Sequence, residues 1–327
     1  MSLRVRSRVQ ARLGRLAAAL LQLSPGLAWT SPHDAIVLYT AYGSRGSATI
    51  EGRVIERKSS PEPSEDDGRR SNLRRNLGLL INDERAGRPV RVCIGEQLWE
   101  AVTDEEGYFR IEATRLDALA HGWHPVLARS GEASVEGALL LIPDGAVHGV
   151  ISDLDDTILV SEVNSTRRML RSALLRNPLQ REAVAGSAKL YASLAARNAD
   201  PASAPIFYLS GSPRQLYSSI ELFLRHNGYP RGVVIAKRVT DDETSEPLRD
   251  QVLYKSRRIA EIFAAAPDVR YTLIGDDTER DPEIYREVQR LHPGRVDAIW
   301  IRRVNPDPAR PRLPGQGNLD DLLREHR

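Results

Sequence analysis

The stretch Val147-His148-Gly149-Val150-Ile151-Ser152, followed at once by Asp153-Leu154-Asp155-Asp156-Thr157, decides how this 327-residue chain is read. Its first half is short, apolar and β-rich, the pattern of a strand buried on both faces of a parallel sheet. Such a strand delivers Asp153 and Asp155, spaced by one residue, to its carboxyl edge. Two uncompensated carboxylates there would repel each other and resist desolvation, whereas a hard divalent cation would take up their oxygens. An aspartate can also attack phosphorus, and a second carboxyl two residues on can protonate the leaving oxygen and then activate water. The plainer alternative is that these residues only cap the next helix.

Downstream, the runs 206–209, 233–236, 271–274 and 296–301 have the same apolar, β-rich character, with helical periodicity between most of them. This predicts a doubly wound α/β fold whose ligands gather at the carboxyl ends of the strands. The run 206–209 opens into Ser210-Gly211-Ser212-Pro213 and a helical stretch over 214–225. Ser212 can cap, Pro213 suits a first helical position, and Ser210 with nearby backbone N–H groups can hold a phosphoryl oxygen. The run 271–274 opens into Gly275-Asp276-Asp277-Thr278-Glu279-Arg280-Asp281-Pro282, again placing acids where a strand ends. Magnesium ligation fits them, by Asp276 directly and by Asp277 directly or through water. Asp281-Pro282 reads equally as a helix cap and first helical position or as support behind the ligands. Lys255, at the beginning of the preceding helical stretch, can neutralise the nucleophile and the phosphoryl charge.

Upstream, residues 35–146 are mostly strand-like, with runs at 36–39, 48–55, 90–94, 108–111 and 138–142 separated by turn residues, which predicts a β-sandwich. Within it, 57–75 mixes Ser, Pro and both charge signs and reads as a solvated linker or loop. Residues 1–34 form a basic arm, with Arg4, Arg6, Arg8, Arg12 and Arg15 before the first acid, Asp34. Val9, Leu13, Leu16, Leu20 and Leu23 share one helical face there. An interfacial helix on an anionic membrane, a helix packed on the protein and a signal peptide all fit this segment. No run reaches the roughly 20 apolar residues of a membrane-spanning helix. A cytoplasmic protein, peripheral to a membrane if the arm docks, is the expectation, with secretion as the alternative. The Pro-rich tail 305–327 is expected to drape over the surface. A formal charge of +2 offers no field for nucleic acid, and the single cysteine, Cys93, rules out an intramolecular disulfide. His121-Gly122-Trp123-His124 lacks a carboxylate partner and reads as strand or loop rather than as a metal site.

Taken together, the four downstream motifs resemble those of haloacid-dehalogenase-type phosphatases, in order and in place. Within that group, residues 149–158, 208–213, and 274–277 with Asp281-Pro282-Glu283-Ile284-Tyr285 are similar to the actin-patch-associated phosphatidate phosphatases and their bacterial relatives, distant cousins of the lipins. The likeness spans about 147–303, and Tyr42-Gly43 with Gly52-Arg53-Val54 resembles the amino-terminal part of the bacterial members. It implies a haloacid-dehalogenase-like domain over 147–304, Asp153 as nucleophile and Asp155 as acid/base. Ser210, Gly211 and Lys255 would bind phosphate. Asp153, Asp155, Asp276 and Asp277 would surround Mg2+, with Thr157 and Asp281 supporting them. Two positions depart from the pattern: Arg214 replaces an expected aromatic residue, and Asp277 a small polar one. The segment between Thr157 and Ser210 reads only as helices at 165–176 and 181–197, so any cap should be small and suits a bulky or membrane-held substrate. The resemblance implies phosphatidate as substrate. A soluble phosphomonoester or phosphoprotein would use the same residues. A non-catalytic envelope or binding module is the third reading, because 103–111 resembles strands of carboxypeptidase-regulatory-type sandwiches.

Overall fold

The computed structural model describes residues 33–57, 62–80, 84–145, 147–159, 177–239, 250–304 and 306–326. The basic arm up to residue 32 and the helix expected over 165–176 lie outside the described residues. The carboxyl-terminal half is an all-parallel sheet of six strands: β9 (His148–Asp153), β10 (Ile206–Pro213), β11 (Val233–Lys237), β12 (Arg270–Asp276), β13 (Val296–Arg302) and β14 (Gly317–Asn318). Their spatial order is β11-β10-β9-β12-β13-β14. The chain therefore winds outward from β9 to β11, then crosses back to β12 on the other side of β9. That reversal opens a crevice at the carboxyl end of β9, where ligands of such sheets bind.

Alternation along the strands builds both faces. Val150, Tyr208 and Val234 pack with Leu190 and Tyr191 of α2 (Ser187–Ala195) and with Ile220 and Phe223 of α3 (Tyr217–His226). Ile151, Phe207, Leu209 and Val233 turn the other way, onto Ile259, Ile262 and Phe263 of α4 (Gln251–Ala265) and onto Ile284, Tyr285 and Val288 of α5 (Asp281–Leu291). Each fully buried side chain of this size is worth about 1.5–3 kcal/mol, so both faces must be covered.

The amino-terminal half is one mixed sheet of eight strands: β1 (His33–Leu38), β2 (Ala41–Gly43), β3 (Ser47–Arg57), β4 (Pro89–Ile94), β5 (Gln97–Val102), β6 (Tyr108–Thr114), β7 (Gly122–Ser130) and β8 (Ala133–Leu141). The expected sandwich is thus built as a single hydrogen-bonded sheet. It is joined through the parallel pair β2–β8 and closes round one core containing Ile50, Val92, Ile111, Val126 and Leu139. The short strand β2 and the half-buried strand β5 carry little apolar signal and were not anticipated, while β7 begins in the stretch 121–124 that reads as strand or loop.

The linker reading of 57–75 is corrected at its end, where α1 (Arg69–Leu80) begins. Its Asn72 and Arg75 are buried; the Asn72 amide donates to Gln180 at 2.7 Å, and Arg75 pairs with Asp67 at 2.8 Å. These polar contacts help to hold the helix, and no local sequence pattern announces them. The predicted helix at 181–197 starts later, at Ser187, because Ala183 is bridged to Leu159 and Gly186 takes a left-handed φ of +85°. The two sheets share packing: Tyr39 and Tyr108 join one core of the parallel sheet, and Leu140 and Ile142 join the other.

Candidate active site

β9 ends on Asp153, level with Leu209 of β10, while Ser152 lies beside Ile274 of β12. Ser210 and Asp276, just beyond those partners, consequently flank Asp153 at the switch point. The backbone then turns at Asp156, whose φ of +60° lies in the left-handed region that aspartate tolerates better than most residues. The Arg302 guanidinium donates to the Asp156 carbonyl at 2.6 Å and holds this turn.

Asp153 is only 3% exposed, and Lys255, 1% exposed, places its Nζ 2.8 Å from the Asp153 Oδ1. The same ammonium pairs with Asp281 and lies 3.6 Å from Glu279. The Thr157 hydroxyl sits between Asp153 Oδ2 at 3.2 Å and Asp276 Oδ2 at 3.0 Å, able to donate to either. Asp153, Asp276 and Asp281 each offer a buried carboxylate oxygen within 4.8 Å of the others. Burial pushes the Asp153 carboxyl well above its ordinary range; Lys255 draws it back, while Asp281, Asp276 and Asp155 push it further up. Burial also raises Asp281, to about 6, against the pull of Lys255. Burial alone would lower Lys255, but Asp153 and Asp281 outweigh it and hold the ammonium charged. Three carboxyl groups round one ammonium leave an excess of negative charge, and a hard oxygen donor set of this kind fits a divalent metal ion.

Asp155 stands apart from that trio. Its Oδ2 accepts a hydrogen bond from Ser210 at 3.2 Å, and burial raises its pKa while Arg181 and then Ser210 lower it. Ser210 in turn accepts from the Ser212 N–H at 3.0 Å, so the loop folds its polar groups round one hydroxyl. Gly211 leaves the room that Gln251 occupies: a Cβ there would lie 2.6 Å from the Gln251 amide nitrogen.

Several placements differ from expectation. Asp277 does not join the buried trio; its carboxylate is taken by Arg303 at 2.9 Å and by the Val304 N–H at 2.8 Å, and Asp281 fills the place instead. Asp281 is also not a cap: Arg280 holds that position, and Asp281 is the first residue of α5. Ser212 belongs to β10, and Pro213 precedes a short 3-10 turn, Arg214–Leu216. Lys255 lies a full turn inside α4, which Asp250 caps through the Leu253 N–H at 2.9 Å. In line with the strand-or-loop reading, His124 bonds to the Ala120 carbonyl and His121 lies 3.0 Å from Asp144, outside the carboxylate trio.

Two cations were missed. Arg181, whose charge acts on Asp155, lies in a stretch whose periodicity read as helix. Lys237 ends β11 fully buried, its ammonium 4.8 Å from the centroid of the Tyr254 ring. A lysine closing an apolar run in this sheet is the signal that could have found it.

Fold and site together define an α/β protein with a lysine-neutralised carboxylate centre at the switch point of a parallel sheet. Residues 148–303, just under half of the chain, match the family model described as phosphatidate phosphatase APP1, catalytic domain. Over 154 residues the chain is 29% identical to phosphatidate phosphatase APP1 of Saccharomyces cerevisiae, covering 47% of this chain and 25% of that protein. An uncharacterized protein of Schizosaccharomyces pombe is 26% identical over 158 residues, 48% of this chain and 25% of its own length. The chain thus spans about a quarter of the length of these two relatives. Among solved structures, a carbohydrate acetylesterase from Xanthomonas citri aligns over 90% of this chain and 73% of its own at 11% identity, with a TM-score of 0.31, too low to bear on fold or chemistry.

Proposed function

We propose that the chain is a magnesium-dependent phosphatidate phosphatase, releasing diacylglycerol and inorganic phosphate through an aspartyl-phosphate on Asp153. The observation that carries this reading is the Asp153 carboxylate held between Lys255 and Thr157 beside Asp276, in a segment of APP1 catalytic type. A carboxylate oxygen of Asp153 attacks phosphorus as the ester P–O bond breaks, and Asp155, held by Ser210, gives its proton to the departing diacylglycerol oxygen. Asp155 then takes a proton from water, whose oxygen displaces the Asp153 carboxylate and frees phosphate. The raised pKa of Asp155 suits a group that must first carry a proton. Lys255 and the Ser210 loop stabilise charge on the phosphoryl oxygens. Asp153 and Asp276 would hold magnesium, with Asp281 bound mainly to Lys255. Bound there, the ion would supply positive charge against the phosphoryl group.

Phosphatidate, rather than a soluble phosphomonoester or phosphoprotein, is favoured by the family of the matched segment. An anionic membrane as docking surface, and with it a peripheral location, is part of the proposal and rests on the basic arm. Among the described residues no helix is long and apolar enough to cross a membrane. The test is hydrolysis of phosphatidate in mixed micelles against a panel of soluble phosphate esters, with and without magnesium, and with Asp153→Asn as control. Faster turnover of phosphatidate, abolished in Asp153→Asn, is expected. Efficient turnover of a soluble ester alone would sink the lipid assignment, and magnesium-dependent hydrolysis surviving in Asp153→Asn would sink the nucleophile.

A further inference from the structure

Arg214, the departure from the family pattern, follows the Ser210 loop directly and is 6% exposed. It does not face the carboxylate trio. Its Nη2 donates to Glu51 of β3 at 2.7 Å, its Nε to the Ala236 carbonyl at 3.3 Å, and its guanidinium lies 5.1 Å from the centroid of the Tyr39 ring. One side chain therefore ties the exit of β10 to the end of β11 and to the amino-terminal sheet. Burial works against the Glu51 carboxylate, yet Arg214, Arg258 and Arg110 hold its pKa below the usual range, so the pair is ionic. The exit of β11 repeats the device. Arg238, next to buried Lys237, bonds to Asp104 at 2.6 Å and lies 4.3 Å from the centroid of the Tyr108 ring. Beside them, Tyr217 at the start of α3 accepts the Thr40 N–H at 2.7 Å and donates to Glu221 at 2.7 Å.

We infer that the amino-terminal sheet is a positioning element of the phosphate site: Glu51 and Asp104 clamp Arg214 and Arg238, and so hold the β10 and β11 exits, with Ser210, in register. The inference rests on the phosphatase reading, but its geometry does not. Loosening the clamp displaces the Ser210–Ser212 loop, which meets the phosphoryl oxygens and holds Asp155, so the loss of transition-state stabilisation is read in kcat/KM.

The test uses the full chain with p-nitrophenyl phosphate and magnesium, alongside amide hydrogen exchange of the peptide spanning 206–216. Glu51→Gln removes the carboxylate that neutralises Arg214 and risks general destabilisation. The double variant Glu51→Gln/Arg214→Met removes both charges, which buried pairs tolerate far better than loss of one partner. Trp123→Phe is the control. Trp123 joins the two sheets at the opposite, amino-terminal edge through a 2.9 Å bond to the Ala202 carbonyl and a contact with Arg231.

In both clamp variants kcat/KM should fall about tenfold, short of the roughly hundredfold that an ångström of misplacement can cost. Exchange over 206–216 should quicken in both, and Trp123→Phe should change neither readout. Unchanged kcat/KM and exchange in the double variant overturn the clamp, as does an equal effect of Trp123→Phe. A wild-type protein without turnover sinks the phosphatase reading alone. Exchange then decides, with faster exchange supporting the clamp and unchanged exchange overturning it.

Discussion

Replacing Lys255 by Met keeps roughly the length of the side chain and removes the ammonium that lies among Asp153, Asp281 and Glu279. Two fully buried carboxyl groups lose their counter-charge, a change that costs about 3–5 kcal/mol when one partner of a buried pair is deleted. For a unit of 150–250 residues this corresponds to a fall in Tm of very roughly 6–20 °C. The loss should depend on pH, and its sign is set by linkage. The Asp281 carboxyl already titrates near about 6 against an ordinary 3.8, and without Lys255 it must climb further. A carboxyl whose pKa is higher in the folded state binds a proton there first. The stability this contributes is full below the unfolded pKa and is lost as pH rises through the folded one. The variant should therefore be weakest at about pH 8 and recover part of the deficit near pH 5. Urea denaturation in the presence of EDTA measures this, with Lys255→Met/Asp281→Asn as the compensated partner, expected to regain much of the loss. A deficit under about 1 kcal/mol at both pH values, the size of an exposed pair, would refute the reasoning. So would a double variant no more stable than the single one.

Magnesium at a hundredfold excess over its Kd should stabilise the protein by about 2.7 kcal/mol, and Asp276→Asn should remove most of that thermal shift; an undiminished shift would place the ion elsewhere. Asp277→Asn should leave the magnesium response intact while costing about 1–3 kcal/mol through its Arg303 and Val304 contacts, and a vanished response would restore Asp277 as a ligand. Gly275→Ala sets a Cβ 2.4 Å from Asp281 Oδ2 and 2.8 Å from the Tyr285 ring, so a destabilisation of about 1–3 kcal/mol with reduced turnover is expected; unchanged urea midpoint and rate would show that Asp281 moves freely.

The parallel sheet was legible because burial on both faces writes a continuous apolar run. Each of the runs at 147–152, 206–209, 233–236, 271–274 and 296–301 lies within a strand or within a residue of one. The amino-terminal sheet was half legible. β3 and β8 carry buried apolar residues such as Ile50, Val54, Leu139 and Leu140, whereas β5 has no fully buried position and sets its apolar Leu98 and Val102 on the exposed face. Helix α1 was invisible for another reason. Its buried positions include the polar Asn72, Arg75 and Asn76, and the partner of Asn72, Gln180, lies 108 residues away, where no local pattern names it.

Within the site, the difference between Asp277 and Asp281 has a physical origin that periodicity contains. Neighbouring residues of a strand point to opposite faces, so Asp276 and Asp277 at the end of β12 cannot both turn toward Asp153. Asp276 takes the side of Thr157, and Asp277, whose N–H continues the ladder to the Arg302 carbonyl, takes the side of Arg303. The further carboxylate must then come from beyond the turn, and the first residue of α5 returns it over a glycine that has no Cβ to obstruct it. Gly275 and Asp281 are thus one structural feature six residues apart. The pairing of Arg214 with Glu51 spans 163 positions, and only the folded chain could reveal it.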